Sequence, residues 1–214
     1  MGLAVAVTMV GATTIEAADS QRLTFTTHAV FFSSETKQPK PVDPHVFVQD
    51  PASPAATGPQ NIQHITGVRP ALIEQDVKTA PVFNAKGESL GFDLGKWLGA
   101  NARVTITPSA NGKARISAQF SKLQPDGSYS LFENHIDQQP VSFTPLDGAG
   151  KDNNFVADKK GSAAVTLTAP QVLTHANAVL LAYHSDKTFH GDQRGEIGVT
   201  AHHQLIARIP RLCF

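Results

Sequence analysis

Alternating apolar and polar positions predict β-strands along most of this chain. In residues 22–32 every second position is apolar or a threonine, so one face of an extended segment would be apolar. Residues 114–120 alternate in the same way behind the dipeptide Asn111-Gly112, a strong signal for a hairpin turn. This hairpin is the clearest structural prediction that the pattern makes.

Short apolar runs separated by turn residues extend this prediction to the rest of the chain. The tripeptide Pro125-Asp126-Gly127 has the chemistry of a turn between two strands. Residues 70–78 carry apolar positions at helical spacing behind a proline, so one short helix is expected there. Further strand candidates are residues 45–48, 104–106, 129–132 and 163–168. Many short strands with turn signals between them indicate an all-β fold, and we predict an antiparallel β-sandwich.

The two clearest apolar runs near the C-terminus, residues 178–183 and 205–209, enclose the densest group of polar chemistry. Residues 177–210 hold four of the chain's nine histidines together with three acidic residues. Zinc and copper bind imidazole and carboxylate groups, usually three or four of them. A strand end, the loop after it and the start of the next strand converge on one edge of a sandwich. We therefore predict a candidate copper or zinc site in this segment.

Six of the candidate ligands lie in this segment, and a seventh lies at the end of a different strand. They are His184, His190, His202, His203, Asp186, Asp192 and the remote His135. Neighbouring residues on a strand point to opposite faces, so only one of His202 and His203 is expected to join. The alternative is a solvated loop that binds no metal, since these histidines lack a tight pattern such as His-x-His.

Ser185 between His184 and Asp186 does not predict a catalytic triad. Adjacent residues on an extended chain point alternately to opposite sides, so the three groups cannot face one another. No catalytic residue is predicted.

The N-terminal residues predict that the domain is exported. Residues 3–12 are apolar but too short to span a bilayer, and small residues follow them, as in a signal peptide cleaved near Ala17 or Ala18. No Lys or Arg precedes the run, which a start codon assigned too late would explain; the alternative is a buried first strand. We expect residues 1–18 to be a signal peptide and residues 19–60 an arm with edge strands and a proline-rich loop. Residues 61–210 then form the sandwich, residues 211–214 a tail, and the mature protein is secreted or periplasmic.

Charge and cysteine content narrow the list of partners. Lys plus Arg equals Asp plus Glu at 18 each, so no basic surface for nucleic acid or anionic lipid is expected. No membrane-spanning segment is expected in the mature chain. Cys213 is the only cysteine, which excludes an intrachain disulfide and leaves either a free thiol or pairing between chains.

The closing segment resembles the last part of copper/zinc superoxide dismutase-like sandwiches. In that family a strand ends in a ligand histidine, an Asp- and Gly-rich loop follows, and a final apolar strand closes the barrel. The matching residues here are 179–184, 185–198 and 205–209. The resemblance implies a sandwich of the immunoglobulin-like or superoxide dismutase-like kind and copper or zinc bound from His184. The chain lacks that family's His-x-His pair and its intrachain disulfide.

A second phrase, Leu-Gln-Pro-Asp-Gly-Ser-Tyr at residues 123–129, resembles the turn-strand phrase of many exported bacterial sandwich domains. The absence of a catalytic signature, the balanced charge and the long polar loops lead us to expect an exported, non-catalytic binding or structural module with a protein or small-ligand partner. The competing expectation is a copper- or zinc-binding protein, or a superoxide dismutase-like metalloenzyme, that uses the histidine-rich loop.

Overall fold

The computed structural model describes residues 20–210, and the first 19 and last four residues lie outside the described part. The segment predicted as a signal peptide and the tail with Cys213 are therefore not described. The strands, in chain order, are β1 (Gln21–Thr24), β2 (Thr26–Thr27), β3 (Val42–Gln49), β4 (Ala56–Thr57), β5 (Gln63–His64), β6 (Val68–Leu72), β7 (Pro81–Phe83), β8 (Ser89–Asp93), β9 (Asn101–Pro108), β10 (Ala114–Ser121), β11 (Ser128–His135), β12 (Ser142–Pro145), β13 (Asn154–Val156), β14 (Ala163–Ala169), β15 (Asn177–His184) and β16 (Ala201–Arg208). The α-helices are α1 (His28–Glu35) and α2 (Leu94–Gly99).

Three sheets build the fold, and every strand pairing within them is antiparallel. The front sheet has the order β1-β9-β10-β14, and the central sheet has the order β12-β11-β15-β16-β2 with β13 also paired to β11. The side sheet has the order β6-β3-β7-β8, and β4 and β5 form a small ribbon. The prediction of an all-β antiparallel sandwich is confirmed.

The main core lies between the front and central sheets and extends under the side sheet. Ile116 of the front sheet, Leu181 of the central sheet and Trp97 of α2 are among its buried members. The opposite face of the central sheet carries a smaller apolar cluster that includes Leu180 and Phe132. Both faces of β15 are thus covered, which explains why its sequence is a continuous apolar run rather than an alternating one.

Helix α1 covers the outer face of the central sheet, where the alternation in residues 22–32 predicted a strand. Strands β1 and β2 occupy the first part of that stretch, but the prediction is wrong from His28 onward. Thr27 caps the helix, because its Oγ1 accepts the Val30 N–H at 3.4 Å. Its buried residues His28, Ala29, Phe32 and Ser33 recur at helical spacing and pack on the sheet.

The predicted hairpin is present between β9 and β10. Its loop spans residues 109–113, and Asn111 and Gly112 both have positive φ, of 65° and 70°. Asparagine and glycine tolerate this backbone conformation better than other residues, which is why the dipeptide marked the turn.

The helix predicted at residues 70–78 is absent, and β6 enters a turn there instead. Asp76 folds back so that its Oδ2 accepts the Leu72 N–H at 2.7 Å. Its carboxylate also receives two hydrogen bonds from Arg69, at 2.8 and 2.6 Å. This ion pair between positions seven apart favours the turn over a helix.

Neither α1 nor α2 is long and apolar enough to cross a membrane.

Candidate metal centre

The candidate centre lies where β15 ends at His184 and a loop, residues 185–200, returns to β16. Gly195 lets this loop fold onto His190, since its φ is +88° and a Cβ there would lie 3.0 Å from His190 Cδ2. At Gly150, which belongs to a second loop, a Cβ would lie only 2.4 Å from the backbone carbonyl carbon of Gly191. The two loops therefore pack backbone against backbone, and they hold the side chains of the centre in place.

Three of the predicted ligands come together at this point. His184, Asp186 and His190 each place a ligand-type atom within 4.8 Å of the other two. The closest pair is His190 Nε2 and Asp186 Oδ2 at 3.0 Å, and the His184 and His190 ring centroids are 5.4 Å apart. His184 is buried, whereas the side chains of His190 and Asp186 are 25% and 28% exposed. The group thus joins a buried imidazole to two side chains that solvent reaches.

A chain of hydrogen bonds fixes the tautomer of His184. Asn154 Nδ2 donates to the Gly150 carbonyl at 3.0 Å, which leaves Asn154 Oδ1 to accept the Ser130 hydroxyl at 2.5 Å. Because that hydroxyl has only one proton, Ser130 Oγ accepts from His184 Nε2, 2.6 Å away. His184 Nδ1 therefore carries a lone pair, and it is buried without a hydrogen-bond partner among residues 20–210.

The environment keeps His184 neutral at physiological pH. Burial, and to a smaller extent the nearby His190, lower its pKa to about 4, although Asp186 partly opposes this. Metals bind the unprotonated nitrogen of an imidazole, and a hydrogen bond from the other nitrogen orients the ring. His184 meets both conditions through Nδ1 and Ser130.

The spacing of the three groups suits a tetrahedral metal after a small adjustment. Bonds of about 2.0–2.1 Å separate two tetrahedral ligand atoms by roughly 3.3 Å. The His190–Asp186 pair already lies at 3.0 Å. The third ligand atom lies within 4.8 Å of both, so it is at most roughly 1.5 Å farther from them than a tetrahedral site requires. Asp186 and His190 belong to the loop after β15 rather than to the strand.

Ser130 is not placed as a catalytic nucleophile in spite of its short contact with His184. Its hydroxyl proton is donated to Asn154, and the residue is only 1% exposed, so a substrate cannot reach it.

Sequence reasoning missed a Gly-x-Ser-x-Gly pattern at residues 87–91, which in hydrolases marks a serine between a strand and a helix. Ser89 instead opens β8 after a turn, and its Oγ accepts the Gly91 N–H at 3.2 Å. Neither serine has the surroundings of an acyl-transfer site.

His202 and His203 point to opposite faces of the central sheet, as strand geometry requires. His202 lies on the core side, where it donates from Nδ1 to the His45 carbonyl at 2.7 Å and contacts Ser185 Oγ through Nε2 at 3.1 Å. Both of its nitrogens are thus engaged. His203 lies on the outer face near Phe143, with ring centroids 5.5 Å apart. The structure places neither residue in the His184 group.

His135 and Asp192 also lie away from the group. In the pairing of β11 with β15, His135 is opposite Asn177, while His184 is opposite Ser128 at the other end. His135 and Asp192 line a separate shallow cleft next to Glu133. The candidate centre therefore uses three of the seven residues predicted as ligands.

A second imidazole cluster lies beneath α1, formed by His28, His45 and His203. The three residues are 4%, 0% and 1% exposed, and their ring centroids lie 4.4–4.9 Å apart. Burial lowers the pKa of all three, to about 3 for His28 and well below the ordinary value for the others. All three rings are neutral at physiological pH.

Hydrogen bonds already occupy much of this cluster. His45 Nδ1 accepts the His203 N–H at 2.9 Å, so its proton is on Nε2 and is donated to Gln60 Oε1 at 2.6 Å. His203 Nε2 accepts from Arg194 Nη1 at 3.2 Å. His45 has no nitrogen left for a metal, although each ring offers a nitrogen within 4.8 Å of the other two. The His184 group is the better metal candidate for this reason.

Sequence reasoning missed His28, His45, Ser130 and Asn154. His45 had a usable signal, since it stands with Asp43 in β3, where seven of eight positions are buried. A polar side chain inside such a strand must find a buried partner. His28 and Ser130 had no comparable signal, because their roles depend on distant parts of the chain.

No protein-family model matches this chain, and no curated protein sequence matches it significantly. The fold and the site alone therefore have to define the class of protein. It is an all-β sandwich with a candidate metal centre at the end of β15.

Proposed function

We propose that this protein binds a transition metal ion of the copper and zinc class through His184, Asp186 and His190. The observation that carries the proposal is the buried Nδ1 of His184, which has no hydrogen-bond partner among residues 20–210. A buried nitrogen without a partner costs free energy, and a metal ion would relieve that cost.

The donor set supports this class of metal. Two imidazoles and one carboxylate suit Zn²⁺ and Cu²⁺, whereas calcium and magnesium prefer oxygen ligands alone. The partial exposure of Asp186 and His190 leaves room for water or an external ligand at a fourth position. Ser130 would orient the His184 ring in the metal-bound state as it does now.

The test is a zinc and copper titration of tag-free protein, followed by calorimetry and melting temperature. Wild type should bind about one equivalent and gain stability, by about 2.7 kcal/mol at a hundred times the dissociation constant. His190→Gln and Asp186→Asn change solvent-accessible side chains, so both variants should fold. Each is expected to bind at least about tenfold more weakly, as is Ser130→Ala, which removes the group that orients His184.

Two control variants make the outcome specific. Asp192→Asn removes an exposed carboxylate from the same loop and should bind as the wild type does. His28→Gln removes a ring of the second cluster and should also leave the affinity unchanged. If His28→Gln loses binding and His190→Gln does not, the metal binds at the second cluster and the proposal is refuted. Equal stabilisation of the wild type and all variants would show that these residues are not ligands.

We also propose that the protein is exported and that its mature chain starts near Asp19. The apolar run at residues 3–12 and the small residues after it support this. N-terminal sequencing of protein from a fractionated host should give a start close to residue 19 in the exported fraction. An intact Met1 in the cytosolic fraction would refute export.

A further inference from the structure

A cavity of about 670 Å³ opens on the outer face of the central sheet, apart from the candidate metal centre. Helix α1 and residues 136–143 form its walls, and Gln60 and residues 194–197 close it. Its size falls within the range of small-molecule sites in proteins. The walls are largely apolar, with Phe31, Phe32, Ile136, Val141 and Phe143 among the lining side chains.

Within the described part of the chain, Arg194 is the single cationic side chain that lines this cavity. Its guanidinium carbon lies 3.5 Å from the ring centroid of Phe143, so the flat group is stacked on an aromatic wall. Burial lowers its pKa to about 10, so it remains charged at neutral pH. The charge is thus held, partly desolvated, at the edge of an apolar space.

The described residues leave this charge without an anionic partner. Arg194 makes one side-chain hydrogen bond among residues 20–210, to the neutral imidazole of His203 at 3.2 Å. A guanidinium has five N–H donors, so most of them are free to bind a ligand. Among residues 20–210, Glu35 is the only acidic residue that lines the cavity, and Arg208 pairs with it at 3.0 Å. A partly buried charge without a counter-ion costs free energy, and an anionic ligand would offset that cost.

Asn134, which also lines the cavity, has a side-chain oxygen that is unpaired within residues 20–210. Asn134 Oδ1 is buried and accepts no hydrogen bond within the described part of the chain. Gln60 and His28 line the same space with neutral polar atoms. One cation, a few neutral polar groups and apolar walls match a ligand with one negative charge and an apolar body.

We propose that this cavity binds a small amphipathic monocarboxylate, either a medium-chain fatty acid or an aromatic acid. Arg194 takes the carboxylate in a two-pronged hydrogen bond, the geometry that a guanidinium offers to planar anions. The apolar wall of α1 and residues 136–143 takes the ligand's body. A phosphate group is a poorer match, since its second charge would meet no second cation among the residues that line the cavity. The proposal does not depend on the metal site.

The test is calorimetric titration of the full chain with decanoate, with decanol as the uncharged probe of equal length. Wild type should bind about one equivalent of decanoate, and decanol should bind about 10–100-fold more weakly because it lacks the charged partner of Arg194. Arg194→Gln should reduce decanoate affinity by a similar factor and leave that of decanol unchanged. Arg103→Gln, which removes an exposed arginine from β9 of the front sheet, is the matched control and should bind decanoate as the wild type does.

A second variant keeps the proposal testable if Arg194→Gln fails to fold. Val141 lines the cavity and is 40% exposed, so Val141→Trp should fill the entrance while the far-ultraviolet circular dichroism spectrum stays unchanged. It should weaken the binding of both probes. Equal affinity for decanoate and decanol in the wild type, or full decanoate affinity in Arg194→Gln, would overturn the proposal.

Discussion

Lowering the pH from 7 to 5 is expected to reduce the free energy of unfolding by about 8–9 kcal/mol. The cause is five histidines that are buried as neutral rings: His28, His45, His184, His202 and His203. Burial lowers the pKa to about 3 for His28, to about 4 for His184 and His202 and well below the ordinary value for the other two. In the unfolded chain these imidazoles take up protons near pH 6.5. The stability they confer is present above that pH and is lost as the pH falls, by about 2 kcal/mol each over this interval.

One buried carboxylate acts in the opposite direction. Burial raises the pKa of Asp43 to about 6, against hydrogen bonds from Trp97 and two backbone N–H groups that lower it. Its contribution to stability is therefore fully present below about pH 4 and is lost as the pH rises through 6, so acidification restores about 1 kcal/mol. Arg194 stays charged throughout and disfavours protonation of the nearby His28. Domains of this kind have stabilities of about 5–15 kcal/mol, so the midpoint of acid unfolding should fall near pH 5.

The measurement is urea unfolding at a series of pH values, with a chelator present so that loss of metal does not contribute. Near pH 5.5 the slope should correspond to the uptake of about four protons on unfolding. His28→Phe keeps a ring in the same place and should reduce the uptake by about one proton. His175 is exposed, so His175→Asn should leave the profile unchanged. A free energy of unfolding that is constant between pH 7 and 5 would contradict the prediction.

The features that could be predicted from the sequence are those set by neighbouring residues. The β9–β10 hairpin is specified by Asn111 and Gly112 together with the alternation around them, and it is present. The order of His184, Asp186 and His190 along one strand end and its loop made their convergence foreseeable. The opposite directions of His202 and His203 followed from the pleat of a strand.

What could not be predicted depends on residues far apart in the chain. Ser130 contacts His184 across 54 positions, and His45 accepts the His203 N–H across 158. Strand order decides which residues become neighbours, and a hydrophobic pattern does not specify strand order. Residues 28–35 alternate in part like a strand, yet they form a helix because the apolar outer face of the central sheet needs a cover. Tertiary packing overrides local pattern in such a segment.

Replacing Asp43 by alanine is expected to lower the free energy of unfolding by about 3–5 kcal/mol at pH 7.5. The carboxylate is 1% exposed and accepts three N–H groups: Trp97 Nε1 at 2.7 Å, His45 N at 2.9 Å and Val46 N at 3.3 Å. Alanine leaves all three donors in the core without an acceptor. Asparagine is nearly isosteric but should cost about 2–4 kcal/mol, because its NH₂ group must face one of these donors in either orientation. Chemical denaturation followed by tryptophan fluorescence measures both variants.

A double-mutant cycle separates the Asp43–Trp97 contact from general damage to the core. Trp97→Phe removes the indole N–H and keeps an aromatic ring against Phe92, whose centroid lies 5.9 Å from that of Trp97. Circular dichroism replaces fluorescence for this variant. If the hydrogen bond is the main link, Asp43→Asn should cost less in the Trp97→Phe background, with a coupling of about 0.5–3 kcal/mol. Asp152→Asn changes an exposed acid and should stay within about 0.5 kcal/mol of wild type. If Asp43→Asn and Asp152→Asn have the same free energy of unfolding, the three donors do not need the carboxylate. The buried carboxylate would then not stabilise this fold.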